Sequence, residues 1–415
     1  MKYLSFLCFA GLIGLLAISA VQARDLGEGA VNDSPSRALQ NSEHFYEIWS
    51  GVGRLSLQSG ETCSAVLLDT RNRQGRATGP AYLLTSGHCV LFQYGSARTH
   101  LPLKASVTFH YFHDTPQRKR RYAIRTARWS SLVGTDLAVL EVDATLASLI
   151  QAGVNPLKLA SHQSYESHDE LNVGAPVGFA EQGLRLSACT EQTAGTFIDY
   201  PGVFPLAMRN RCDLRAGSSG SPMLNRSTNE ITGIVSKVIT SRMAPSSPGC
   251  ENSTSCEAAR FNYSYSANFL HSCFIDGVFT SNGPDCSLEP VDLIVTAPWN
   301  FQSYVHRSQR EDGQIVLPTW EFGFSLETPF YRYKAVRNAR DCKIPDNYSA
   351  AIDTTDAYIN TEIGPAIGAW SLCIIGVENR QQNLTRATLN NVFMQGAYLS
   401  ATLGSVEAIA TDSAP

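Results

Sequence analysis

The chain has 415 residues, which at about 150 residues per domain allows two or three domains. Hydrophobic residues make up 43% and charged residues 17%, too apolar for a disordered chain, and 31 glycines and 19 prolines exclude collagen-like or low-complexity sequence. A formal net charge of −4 supplies no basic surface, so no nucleic-acid partner is expected.

At the N-terminus Lys2 precedes an apolar run from Leu4 to Ile18, followed by Val21-Gln22-Ala23. A charged n-region, an apolar core and a small-x-small site read as a secretory signal peptide over residues 1–23. No later run reaches the ~18 apolar residues of a membrane span, so a soluble, secreted or periplasmic product is expected. Eleven cysteines less Cys8 leave ten, an even number suited to five disulfides in an oxidising compartment. None are spaced C-x-x-C. His110 and His113 stand three apart in a strand-like run, which turns them to opposite faces. No metal and no cofactor are expected.

Residues 24–48 are polar and aperiodic, which predicts a mobile leader or short propeptide. From Leu55 onward short β-type runs alternate with Gly, Ser, Asn and Pro clusters. Among them are Cys63-Ser-Ala-Val-Leu-Leu, Ala81-Tyr-Leu-Leu-Thr, Ala105-Ser-Val-Thr-Phe and Leu137-Ala-Val-Leu-Glu-Val. They predict an all-β domain over residues 49–287. Three prolines between Pro284 and Pro298 mark a domain joint. Beyond it, Phe330-Tyr-Arg-Tyr-Lys-Ala-Val and Trp370-Ser-Leu-Cys-Ile-Ile-Gly-Val predict a β-sandwich over 288–402, with a loose tail at 403–415.

Three segments carry chemistry in one order. They are Leu84-Thr-Ser-Gly-His88-Cys89, Gly134-Thr-Asp136-Leu-Ala-Val-Leu and Arg215-Ala-Gly217-Ser-Ser219-Gly-Ser-Pro222. Singly, each is an ordinary turn. Together they meet a chemical requirement. A serine hydroxyl is a poor nucleophile until an imidazole takes its proton, and the imidazole needs a carboxylate to fix its tautomer. Loop glycines let backbone N–H groups face a developing oxyanion.

In this order the motifs resemble the chymotrypsin-like serine endopeptidases over roughly residues 50–275. The resemblance implies two six-stranded antiparallel β-barrels, followed here by the C-terminal sandwich. It makes His88 the general base, Asp136 its orienting carboxylate and Ser219 the nucleophile, with Gly217 and Ser219 giving the oxyanion-hole N–H groups. It also implies a Cys63–Cys89 bridge behind the histidine and a cleft strand at Gly233-Ile-Val-Ser236, whose Ser236 contacts Asp136. Ser218 stands where trypsin-type enzymes carry an aspartate, and no I-V-G-G segment follows the leader. Both features are similar to the bacterial branch that includes glutamyl endopeptidases.

Asp213 lies six residues before Ser219, the offset of the trypsin pocket carboxylate. A carboxylate there would select Arg or Lys, whereas the glutamyl branch reads acidic side chains. For the other cysteines, nearness in sequence suggests Cys189–Cys212, Cys250–Cys256, Cys273–Cys286 and Cys342–Cys373, with exchange among the four from 250 to 286 left open. The C-terminal block resembles Ig-like or fibronectin-like modules. The reading is a monomeric serine endopeptidase acting on protein or peptide substrates. Its rival is a catalytically silent protease fold used for binding or adhesion.

Overall fold

The computed structural model describes residues 25–162, 166–199, 202–239, 261–297 and 304–403. The signal-peptide reading, the Cys250–Cys256 pair and nearly all of the 403–415 tail lie outside them.

Seven strands follow the leader: β1 (Val52–Leu57), β2 (Thr62–Leu67), β3 (Pro80–Thr85), β4 (Ser96–Leu101), β5 (Ala105–Phe109), β6 (Arg120–Ser131) and β7 (Leu137–Thr145). Six of them close an antiparallel barrel in the order β6-β5-β1-β2-β3-β7, with β7 returning to β6. Closure removes the open edges that would otherwise invite pairing with other chains. Alternate side chains of these strands fill the interior with Leu55, Leu67, Leu83, Val107, Phe109 and Leu140.

The second barrel uses β8 (His168–Gly174), β9 (Arg185–Asp199), β10 (Gly202–Asn210), β11 (Pro222–Asn225), β12 (Ile231–Lys237) and β13 (Asn262–Ser266). Its order is β9-β10-β13-β12-β11-β8, and β8 closes on β9. One continuous apolar cluster spans both barrels, with Trp49, Tyr82, Leu84 and Leu137 from the first side and Leu171, Val173, Leu186 and Ile234 from the second. A shared close-packed core fixes the barrels relative to each other, so side chains at their junction keep their spacing.

The C-terminal region adds β14 (Val291–Ala297), β15 (Tyr304–Gln309), β16 (Phe322–Leu326), β17 (Phe330–Val336), β18 (Gly368–Val377) and β19 (Phe393–Leu403). Strands β15-β19-β18-β17 form the centre of a further six-stranded sheet, in which β15 and β19 run parallel. Against it pack β14 and β16. Leu293, Phe322 and Phe324 from these two meet Tyr331, Leu372, Ile374 and Leu399 from the sheet. β14 also pairs with β4, which flanks the first barrel along β6, Val291 opposite Ala97 and Asp292 opposite Ser96.

The leader, expected to be loose, is docked from Asp25 onward. Arg37–Ala38 add a short strand to β9, and Asp25 accepts two hydrogen bonds from Arg226, at 2.6 and 2.9 Å. Leu39 and Trp49 are fully buried. A polar composition hides such anchoring because two apolar residues are enough to hold a strap that is otherwise at the surface. Four of the expected bridges close: Cys63–Cys89, Cys189–Cys212, Cys273–Cys286 and Cys342–Cys373.

Candidate active site

Strand β3 ends at Thr85 and the chain turns through a single 3₁₀ turn, Gly87–Cys89, that carries His88. Only glycine fits at 87, since a Cβ there would lie 2.4 Å from the Ser131 carbonyl oxygen. The turn is tied down by the Cys63–Cys89 bridge and by Ser86, whose hydroxyl donates to the Val235 carbonyl at 2.6 Å. It thereby rests against both barrels.

Asp136 sits at the head of β7 and is buried. Its carboxylate accepts from the His88 backbone N–H at 2.8 Å and from His88 Nδ1 at 2.7 Å. The Ser236 hydroxyl donates to the same Oδ2 that receives the ring. Burial alone would push the Asp136 pKa up. The His88 ring and the Ser236 hydroxyl outweigh it and hold the group below the usual carboxylate range. An ionised acceptor on Nδ1 keeps the proton there and leaves Nε2 as the basic nitrogen.

Ser219 lies between β10 and β11 in a loop whose peptides are held one by one. The Ala216 carbonyl accepts from Val177 N–H at 2.8 Å and the Gly217 carbonyl from the Ser64 hydroxyl at 2.8 Å. The Ser218 carbonyl accepts from Ser221 N–H at 2.9 Å, and the Ser219 carbonyl from Ser64 N–H at 2.7 Å. In a trans peptide the N–H points opposite to the carbonyl. The N–H groups of Gly217 and Ser219 are therefore aimed away from these partners, and neither meets an acceptor among the described residues. Gly217 and Gly220 have φ of 86° and 85°, the left-handed region that glycine adopts at no steric cost. A Cβ on Gly220 would also lie 2.1 Å from the Ser64 carbonyl.

These residues line one cleft of about 650 Å³ at the junction of the barrels, with His88, Asp136, Gly217, Ser219, Ser236 and Lys237 on its wall. Phe92, Tyr94 and Phe204 supply an aromatic side. The Ser219 hydroxyl donates to the Ser236 carbonyl at 3.0 Å. Asp213 does not reach the cleft. The Cys189–Cys212 bridge draws its backbone against β9, and its Oδ2 accepts from both the N–H and the hydroxyl of Ser36, at 2.9 and 3.0 Å. The sequence reading missed Ser64, which holds the Gly217–Ser219 loop. Its only signal was the place next to Cys63.

Two closed antiparallel barrels with a buried aspartate paired to a half-buried histidine, facing a serine loop at their junction, define the class of this part of the chain. Residues 63–234, which include His88, Asp136 and Ser219, match the trypsin-like peptidase domain. No curated protein matches the chain. Among solved structures it is similar to the thermostable serine protease AL20 from an extremophilic microorganism, at 15% identity over 53% of this chain and 92% of that one, with a TM-score of 0.37. It is also similar to the protease Anisep from Arthrobacter nicotinovorans, at 16% identity over 52% and 90%, with a TM-score of 0.37. A Glu endopeptidase in complex with MPD gives 14% identity over 57% and 93%, with a TM-score of 0.36.

Proposed function

We propose that the protein is an exported serine endopeptidase. Ser219 attacks the scissile carbonyl as His88 Nε2 takes its proton, and His88 then gives that proton to the leaving amine. Asp136 stays ionised and stabilises the imidazolium. The N–H groups of Gly217 and Ser219 receive the oxyanion, and water resolves the acyl-enzyme. To react, the Ser219 hydroxyl exchanges the Ser236 carbonyl for His88 Nε2 as its acceptor. The observation that carries this reading is the half-buried His88 paired with the buried Asp136, 2.7 Å apart, opening onto the same cleft as Ser219.

Export is supported by the four disulfides, which persist in oxidising compartments. The organisation we infer is a signal peptide to residue 23, a leader over 24–48, a protease domain over 49–287 and an Ig-like sandwich over 288–402. Because both Ser36 and the Cys189–Cys212 bridge hold Asp213 away from the cleft, this carboxylate does not support a preference for Arg or Lys.

Fluorophosphonate labelling of the purified chain tests the proposal, beside Ser219→Ala and His88→Ala. The parent is expected to label, Ser219→Ala to be silent and His88→Ala to label far more slowly. A folded parent that does not label overturns it in favour of a binding module.

A further inference from the structure

The second barrel encloses three ionisable side chains that the cleft does not use. His168 and Glu170 stand two apart on β8 and so share a face. Glu191 stands opposite His168 on β9. Glu170 is fully buried and Glu191 is 2% exposed, while the His168 side chain at 21% exposed gives the group a route to solvent. One ligand atom from each lies within 4.8 Å of the other two.

Their hydrogen bonds are incomplete in a particular way. His168 Nδ1 lies 2.7 Å from the Glu166 carbonyl oxygen. A carbonyl only accepts, so Nδ1 carries a proton, while Nε2 faces Glu170, whose carboxylate raises the ring's pKa and favours a second proton there in the absence of a cation. Nε2 lies 2.8 Å from Glu170 Oε1, a contact that a ring proton or a cation in its place can hold. Glu170 Oε2 has no donor among the described residues. The hydroxyl of neighbouring Thr232, which also faces Glu170, donates to the Met223 carbonyl at 3.1 Å. Glu191 is steadied by Asn210 Nδ2 at 3.2 Å and by the Ser264 hydroxyl.

We propose that His168, Glu170 and Glu191 bind a divalent transition-metal ion of the zinc class, which ties β8 to β9 inside the barrel. One imidazole nitrogen and two carboxylates suit zinc, whereas calcium and magnesium take all-oxygen shells of about six or more ligands. The two carboxylates balance the ion's charge. Glu166 on the far nitrogen of the ring, and Asn210 and Ser264 on Glu191, are the kind of outer partners that orient metal ligands. The site is separate from the cleft and stands whether or not Ser219 is a nucleophile.

The test is zinc retention by the chelator-treated full chain, read as metal per chain after gel filtration and as the shift in melting temperature on adding zinc. The parent is expected to keep one ion and melt higher with it. Glu170→Gln and His168→Ala each remove a ligand and are expected to weaken retention by more than the about 10- to 100-fold that loss of an outer partner costs, and to abolish the zinc-dependent shift. His88→Ala is expected to retain the ion, which separates this site from a zinc held in the cleft. Parent-like retention in His168→Ala, no retention by the parent, or loss in His88→Ala overturns the proposal. His168→Ala carries the test if Glu170→Gln fails to fold, because its side chain reaches the surface.

Discussion

At Asp136 three donors converge on one buried carboxylate, and this is where a single atom change is most informative. An amide in its place offers one acceptor and a pair of donors, so it no longer imposes the Nδ1–H tautomer on His88. Asp136→Asn is expected to cut kcat by about 10⁴-fold with the fold kept. The stability effect has a defined sign. The folded pKa is depressed, so the carboxylate contributes stability above its unfolded value and loses it as pH falls through the folded one. Parent and Asp136→Asn should therefore differ in melting temperature at neutral pH and converge in strong acid; a constant gap would count against the charge argument. Gly220 gives a steric counterpart. Gly220→Ala meets both a positive φ and the Ser64 carbonyl, and is expected to cost ~1–3 kcal/mol in strain and to slow labelling of Ser219. Gly75→Ala has a similar φ of 74° but open space around it, so it should lose a little stability and no labelling. Equal labelling rates in the two variants would refute the claim that the Ser64 contact sets the loop. His88, Asp136 and Ser219 were legible because each motif is a local string at the end of a strand. Asp213 was not, because its offset from Ser219 counts residues and says nothing of a disulfide that redirects the path or of a serine arriving from the leader.

The leader strap shows the same limit for whole elements. Its composition is polar, and its deep apolar anchor, Leu39, together with Trp49 where it joins the first barrel, falls in no period that marks a helix or strand. Two candidate forces hold it: burial of those side chains, and the Asp25–Arg226 pair. The pair depresses the Asp25 pKa, chiefly through the Arg226 hydrogen bonds, yet the Asp25 side chain is 43% exposed, where such pairs contribute under about 1 kcal/mol. Leu39→Ala is expected to cost about 2–5 kcal/mol, and Asp25→Asn to fall within the exposed-pair range. Denaturant unfolding of both variants checks the ranking, and the reverse order would mean the strap is held by charge. The cluster of His168, Glu170 and Glu191 was hidden differently. The i, i+2 spacing of His168 and Glu170 is visible in the sequence, but Glu191 joins them only through the register of β8 on β9.

At the scale of the whole molecule, three prolines between Pro284 and Pro298 suggested a joint between separate units, and the strands on both sides were legible. What composition could not show is that β14 pairs with β4 and that Ala97 and Val133 of the first barrel belong to the same apolar cluster as Leu293, Phe322 and Leu399. Ser96 donates to Asp292 at 2.8 Å, and Arg98 pairs with the same carboxylate. The contact reaches the chemistry. Val133 and Gly134 lead directly into Asp136, and a Cβ on Gly134 would lie 3.4 Å from the Met394 side chain. The C-terminal sheets thus buttress the loop that delivers the carboxylate to His88. If so, a cavity opened in their core should be felt at Ser219. Leu293→Ala, at a position that does not line the cleft and is 4% exposed, is expected to cost about 2–5 kcal/mol. The full chain should still unfold in one transition, and the temperature at which Ser219 stops labelling should fall together with the melting temperature. A sandwich that unfolds in its own earlier transition while labelling persists unchanged would make it a passenger on the protease domain.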